Sequence, residues 1–115
     1  MLVSERFRTV LGHKRSFDRA PRVRAEDVVR RVRDDEKNPG WFFGVAPGGV
    51  EGYFPSRWFE FETDGASARA LRDYDAMELT IEANVEVECL AEESEWLLVR
   101  TEDGREGWIP AGCMS

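Results

Sequence analysis

The chain has 115 residues, of which 42% are hydrophobic and four are tryptophan, and it carries a formal net charge of −7. That apolar content excludes an intrinsically disordered chain, and the length admits one ordinary domain or two unusually small ones. No stretch approaches the roughly 18 uninterrupted apolar residues of a membrane span, and Glu5, Arg6 and Arg8 interrupt the place where a secretory signal would be apolar, so a cytoplasmic protein is expected.

The charge is unevenly distributed. Residues 1–33 contain ten Lys and Arg against four Asp and Glu, and the remainder contains six against nineteen. The C-terminal part should therefore attract cations and repel phosphate backbones.

Taken in chain order, the elements read as short strands and turns, with no sustained helical period. After the opening "TVLGHKRSF" come "RVRAEDVVRRV", "GWFFGVA", the turn "PGG" and "VEGYFP". "EFETDGAS", Glu60 to Ser67, reads as a joint. "ALRDY" and "ELTI" follow, and then Asn84 stands where the chain must turn, since asparagine tolerates the left-handed conformation. In "VEVECL", Val85, Val87 and Cys89 alternate with Glu86 and Glu88, the period of a strand with one wet face. "EWLLVRT", the hairpin turn "EDG" and "REGWIP" complete the series. Cys89 and Cys113 are expected to be reduced thiols.

The two halves repeat one another. Placing Trp41 over Trp96 brings Gly49, Glu51, Gly52, Tyr53, Phe54 and Pro55 onto Gly104, Glu106, Gly107, Trp108, Ile109 and Pro110 at a constant offset of 55. Upstream the offset grows to 58, with Val23 over Ile81 and Val29 over Val87, and then to about 61, with His13 over Tyr74. Such drift fits insertions confined to loops, so two domains are expected, at residues 1–62 and 66–115. Short strands in about 50 residues favour a small bent sheet that closes on itself.

"ALRDYDA", "ELTI", Trp96 and "GREGWIP" resemble the SH3 domain. The first copy keeps the tryptophan and the closing "EGYFPSRW", and its opening is less typical. The whole is similar to bacterial proteins built from two tandem variant SH3-like domains. The resemblance implies an all-β fold of two small barrels packed together, and a shallow aromatic groove for an extended, proline-rich or basic segment of a partner protein. Its second groove would use Tyr74, Trp96, Trp108 and Pro110, with Asp75 and Glu78 at an acidic edge. The first would use His13, Trp41, Tyr53, Pro55 and Trp58. Arg72 and Cys113 stand where the family pattern has tyrosines, and only Met77 separates "DYDA" from "ELTI". A conventional proline-rich ligand therefore fits the second groove poorly, and the first is favoured.

Other chemistries have little to stand on. His13 is the only histidine, the two cysteines are far apart, and no glycine stretch is followed by the Lys-Ser/Thr of a phosphate loop. No enzyme, cofactor or metal is expected, and the assembly would be a monomer or weak oligomer. The basic stretch "HKRSFDRAPRVR" is the one argument for nucleic acid, and the acidic C-terminal half opposes it. The remaining alternatives are a structural tandem whose grooves are blocked, in part by residues 1–7, and an aromatic cage for an ammonium group. Phe42, Phe43, Phe54, Phe59 and Phe61 are assigned to core or interdomain contacts.

Overall fold

The computed structural model describes residues 6–16 and 19–114. It is all-β, with strands β1 (Arg6–Arg8), β2 (Arg22–Val23), β3 (Val28–Asp34), β4 (Trp41–Val45), β5 (Glu51–Pro55), β6 (Phe59–Phe61), β7 (Ser67–Ala70), β8 (Tyr74–Asp75), β9 (Glu86–Glu93), β10 (Trp96–Thr101) and β11 (Glu106–Pro110). Single 3₁₀ turns follow β5 and β11, at Ser56–Trp58 and Ala111–Met114. The strands form three sheets, ordered β1-β9-β10-β11, β2-β8 and β5-β4-β3-β7-β6, and none closes on itself. No helix among the described residues is long and apolar enough to cross a membrane.

The chain divides into two compact units, Arg19–Ala76 on one side and Met1–Asp18 with Met77–Ser115 on the other. The sequence places the boundary at residues 62–66. The stretch from Glu60 to Ser67, read as a joint, is instead the turn of a hairpin inside the first of these units, where Phe59, Glu60 and Phe61 pair with Ala70, Arg69 and Ala68. Residues 1–5, 17, 18 and 115 lie outside the described residues, including most of the N-terminal stretch considered as a groove block and part of the basic stretch.

In the unit Arg19–Ala76, alternation along the strands sends Val29, Phe42, Phe54, Ala68 and Ala70 inward, all fully buried. Phe42 and Phe54 stack at 5.3 Å and Phe59 meets each edge-on at 5.4 Å. Each buried phenylalanine contributes up to about 3 kcal/mol by leaving water. Phe43 is half-buried on the face opposite Phe42, and Phe61, exposed at the sheet edge, still sets its ring 5.2 Å from the buried Phe42. Pro21 crosses β5 so closely that a Cβ on Gly52 would lie 2.5 Å from its ring, which is why this strand carries glycine.

The unit of residues 1–18 and 77–115 has its own core of Leu79, Ile81, Val87, Leu97, Val99, Ile109 and Cys113. Leu79 presses on Gly107 as Pro21 presses on Gly52, with a would-be Cβ 2.8 Å away. Across its four strands runs a row of alternating charge, Arg6 opposite Glu88, Glu88 opposite Arg100, and Arg100 opposite Glu106. Opposite charges facing across strands favour this register over its neighbours. Thr9, fully buried, ties β1 down: its hydroxyl donates to the Glu82 carbonyl and accepts from the Val85 N–H, both at 2.9 Å.

The hydrogen-bond registers of the two units correspond residue for residue. Arg33 faces Phe43 and Phe43 faces Tyr53, as Ala91 faces Leu98 and Leu98 faces Trp108. A bulge interrupts β3 between Arg31 and Arg33, and β9 is bulged at the matching place, leaving Val32 and Leu90 exposed. The opening strands, however, are exchanged. "SARA", β7, sits beside β3 of the first copy, and "RFR", β1, sits beside β9 of the second. Likewise Tyr74 pairs with Val23 and His13 bridges Ile81.

Candidate functional site

The exchange redistributes the residues assigned to two grooves. Tyr74 and Asp75 fall in the unit that holds Trp41, Tyr53, Pro55 and Trp58, and His13 falls in the unit that holds Glu78, Trp96, Trp108 and Pro110. Neither expected set lies whole within one unit.

In the unit Arg19–Ala76 the aromatic set is brought together as packing. The Tyr74 hydroxyl donates to the Tyr53 carbonyl at 2.8 Å, and its ring meets Trp58 at 5.5 Å, edge to face. Trp41, Trp58 and Tyr74 are only 6%, 7% and 4% exposed. Pro55 is fully buried, and Tyr53 is half-buried with its ring against Phe43. Arg72, standing where the family pattern has a tyrosine, lays its guanidinium 3.9 Å over the Trp58 ring. A cation over an indole face is held by the ring quadrupole. Asp75 is exposed and pairs with Arg22 at 3.9 Å. This set offers little ring surface to a ligand.

The other unit keeps a more open arrangement. Trp96 starts β10 directly after a two-residue turn in which Ser94 and Glu95 have φ of 40° and 71°. A two-residue hairpin turn calls for positive φ at both of its central residues, and this one fixes where Trp96 enters its strand. Trp96 is half-buried, as Tyr53 is, and the His13 ring meets it edge-on at 6.0 Å. Pro110, opposite Trp96 on the neighbouring strand, is also half-buried, whereas Trp108 is 2% exposed and serves the core.

Glu78 closes this site. It is buried, and its Oε1 takes three bonds: from His13 Nε2 at 2.8 Å, the Ser16 hydroxyl at 2.9 Å and the Ser16 N–H at 3.1 Å. Three donors satisfy a carboxylate that would otherwise be expensive to bury. Serine, histidine and glutamate together evoke a nucleophilic relay, but both hydroxyl and imidazole engage the same carboxylate oxygen. No hydrogen bond joins Ser16 to His13, so the imidazole is not placed to take the hydroxyl proton. The cluster instead fastens residues 13–16 beside Trp96, a role that sequence reading missed because Ser16 stands far from Glu78 along the chain.

No group of three or more metal-ligating side chains occurs among the described residues. A depression of about 230 Å³ on the charged face is lined by Arg6, Glu86, Glu88 and Arg100 among others. Its ion pairs already satisfy one another, with Arg6 near Glu86 and Glu102, and Arg100 near Glu88 and Glu106. Burial raises the Cys113 thiol pKa above its ordinary value, which disfavours a thiolate nucleophile.

No protein-family model, curated protein or solved structure matches the chain.

Proposed function

We propose that the protein is a non-catalytic interaction module of the cytoplasm, built from two SH3-like small barrels, and that it binds an extended proline-rich or basic segment of a partner protein at Trp96. The observation that carries this reading is the indole of Trp96, the one tryptophan of the four that is not buried, flanked by His13 and Pro110. The exposed carboxylates of Glu92 and Glu95 stand at the adjacent turn. A rigid extended segment loses little entropy on docking against such a surface, and the nearby acids favour a cation in it. The corresponding registers of the two units support the reading of a duplicated domain, with strand exchange as a departure from a simple tandem.

Binding to an array of synthetic extended peptides, proline-rich and basic, tests the reading. Wild-type protein should retain a subset, and Trp96→Ala should lose it while its circular dichroism is unchanged. Retention unaltered by Trp96→Ala refutes the site.

The burial of Trp41, Trp58, Tyr74 and Trp108 favours a second reading for those rings. They are structural, and Trp41→Ala should then act on stability rather than on binding.

A further inference from the structure

The bonds around Glu78 fix where the hydrogen of His13 sits. The Oε1 that meets His13 Nε2 at 2.8 Å also takes the Ser16 N–H and the Ser16 hydroxyl. A carboxylate can only accept, so the hydrogen in its contact with the imidazole belongs to Nε2. In the neutral ring the other nitrogen, Nδ1, is then a bare acceptor.

Nδ1 makes no hydrogen bond among the described residues, and no buried side-chain nitrogen or oxygen among them lacks a partner. Nδ1 therefore opens to solvent, although the side chain as a whole is only 16% exposed. The matching residue of the repeat behaves differently. Tyr74 is 4% exposed, and its hydroxyl donates to the Tyr53 carbonyl at 2.8 Å inside its own unit. At His13 the polar atom left over is an acceptor, and it faces outward.

The surroundings select what this acceptor can take. The imidazole and Trp96 centroids are 6.0 Å apart, so one group can lie against the indole and donate to the imidazole together. An indole attracts a cation. The Glu78 carboxylate stands directly behind the ring, and Glu92 and Glu95 are exposed beside Trp96, so a positively charged donor is favoured over a neutral one. Arg15, two residues on, turns its guanidinium to Thr80 and Met77.

We infer that His13 is a specificity-determining residue of the Trp96 site, its Nδ1 accepting a hydrogen bond from a cationic N–H of the partner segment, a lysine ammonium or an arginine guanidinium. This rests on the peptide-binding reading of Trp96 and narrows its ligand to the basic class. A proline at this place has no N–H to give. A quaternary ammonium has the charge without the N–H, so it is disfavoured as well, which sets the site apart from an aromatic cage.

The probes are three capped pentapeptides, with lysine, trimethyllysine or norleucine at the centre between pairs of prolines, titrated into the ¹⁵N-labelled full chain. The lysine peptide should give saturable shifts at the Trp96 indole N–H and at residues 13–16, and lose them in Trp96→Ala. Trimethyllysine should bind about tenfold more weakly, the loss of one charge-assisted hydrogen bond, and norleucine more weakly still. His13→Gln sets an amide nitrogen where Nε2 donates to Glu78 and puts no acceptor in place of Nδ1. It should erase the preference for lysine over trimethyllysine while circular dichroism stays unchanged. Long-range ¹H–¹⁵N correlation of the imidazole at neutral pH should show the hydrogen on Nε2, and a hydrogen on Nδ1 instead overturns the inference whatever the peptides do. Trp96-dependent binding in which trimethyllysine equals lysine, or in which His13→Gln keeps the preference, overturns it and leaves the peptide-binding reading standing. If none of the peptides gives Trp96-dependent shifts, both fall.

Discussion

Cutting the chain at the boundary the repeat indicates should destroy the fold of its first half, and cutting it at the exchanged boundary should preserve it. Two fragments of similar length make the comparison: residues 1–65, which keep the first sequence copy, and residues 19–76, which keep the compact unit. Fragment 1–65 lacks β7 and β8. It therefore loses the fully buried Ala68 and Ala70, the 4%-exposed Tyr74, and the 2.8 Å bond from Tyr74 to the Tyr53 carbonyl. Transfer of two methyls and a tyrosine ring is worth about 4 to 5 kcal/mol, and the hydrogen bond about 1 more. The ladders that β7 makes with β3 and with β6 would also be lost. A single core of this size rarely provides more than about 3 to 5 kcal/mol in total, so the loss exceeds what holds the unit. Both fragments contain Trp41 and Trp58, so urea unfolding followed by tryptophan fluorescence reads each directly. Fragment 19–76 should unfold cooperatively and 1–65 should show no transition. A cooperative transition in 1–65 with a midpoint at or above that of 19–76 would refute the exchange.

Other consequences follow from single residues. Thr9→Val keeps shape but strands the Glu82 carbonyl and the Val85 N–H, and should cost about 2 kcal/mol in chemical denaturation, with Thr9→Ser close to wild type. Gly107→Ala drives a methyl against the backbone of Leu79 and should cost about 1 to 3 kcal/mol, visible as a lower Tm. Arg100→Glu puts three negative charges in one cross-strand row. It should destabilise by about 1 kcal/mol in low salt and less in 1 M NaCl, because position 100 and Glu106 are exposed to screening ions. The buried Cys113 thiol has its pKa raised in the folded state, so its contribution to stability is complete below the unfolded value of about 8.5 and is lost as pH rises through the folded value. Stability measured from pH 7 to 10 should fall less in Cys113→Ala than in wild type, and iodoacetamide should label the half-exposed Cys89 first.

Much of the local structure is legible from the residues alone. Asn84 has the left-handed φ of 64° that its place before a strand demands, and Gly104 closes the β10–β11 hairpin at φ 91° with the Thr101 N–H bonded to the Arg105 carbonyl. The alternation of Val85, Val87 and Cys89 with two glutamates became β9, with its apolar side on the core. These features depend on neighbours a few residues apart, where side-chain period and backbone preference act directly.

Which opening strand joins which copy is a different kind of question. "RFR" and "SARA" both suit the place beside the long strand of a copy, and their local patterns do not distinguish the first copy from the second. The choice rests on partners far along the chain: Arg6 opposite Glu88, Thr9 holding Glu82 and Val85, and Tyr74 packed on Trp58. The same holds for exposure. Trp41 and Trp96 occupy one position in the repeat, yet one is buried and the other only half-buried, and Arg72 reaches the face of Trp58 only because β8 sits in that unit. Residue identity sets what each strand could pair with, and only the closed set of long-range contacts selects among equivalent pairings.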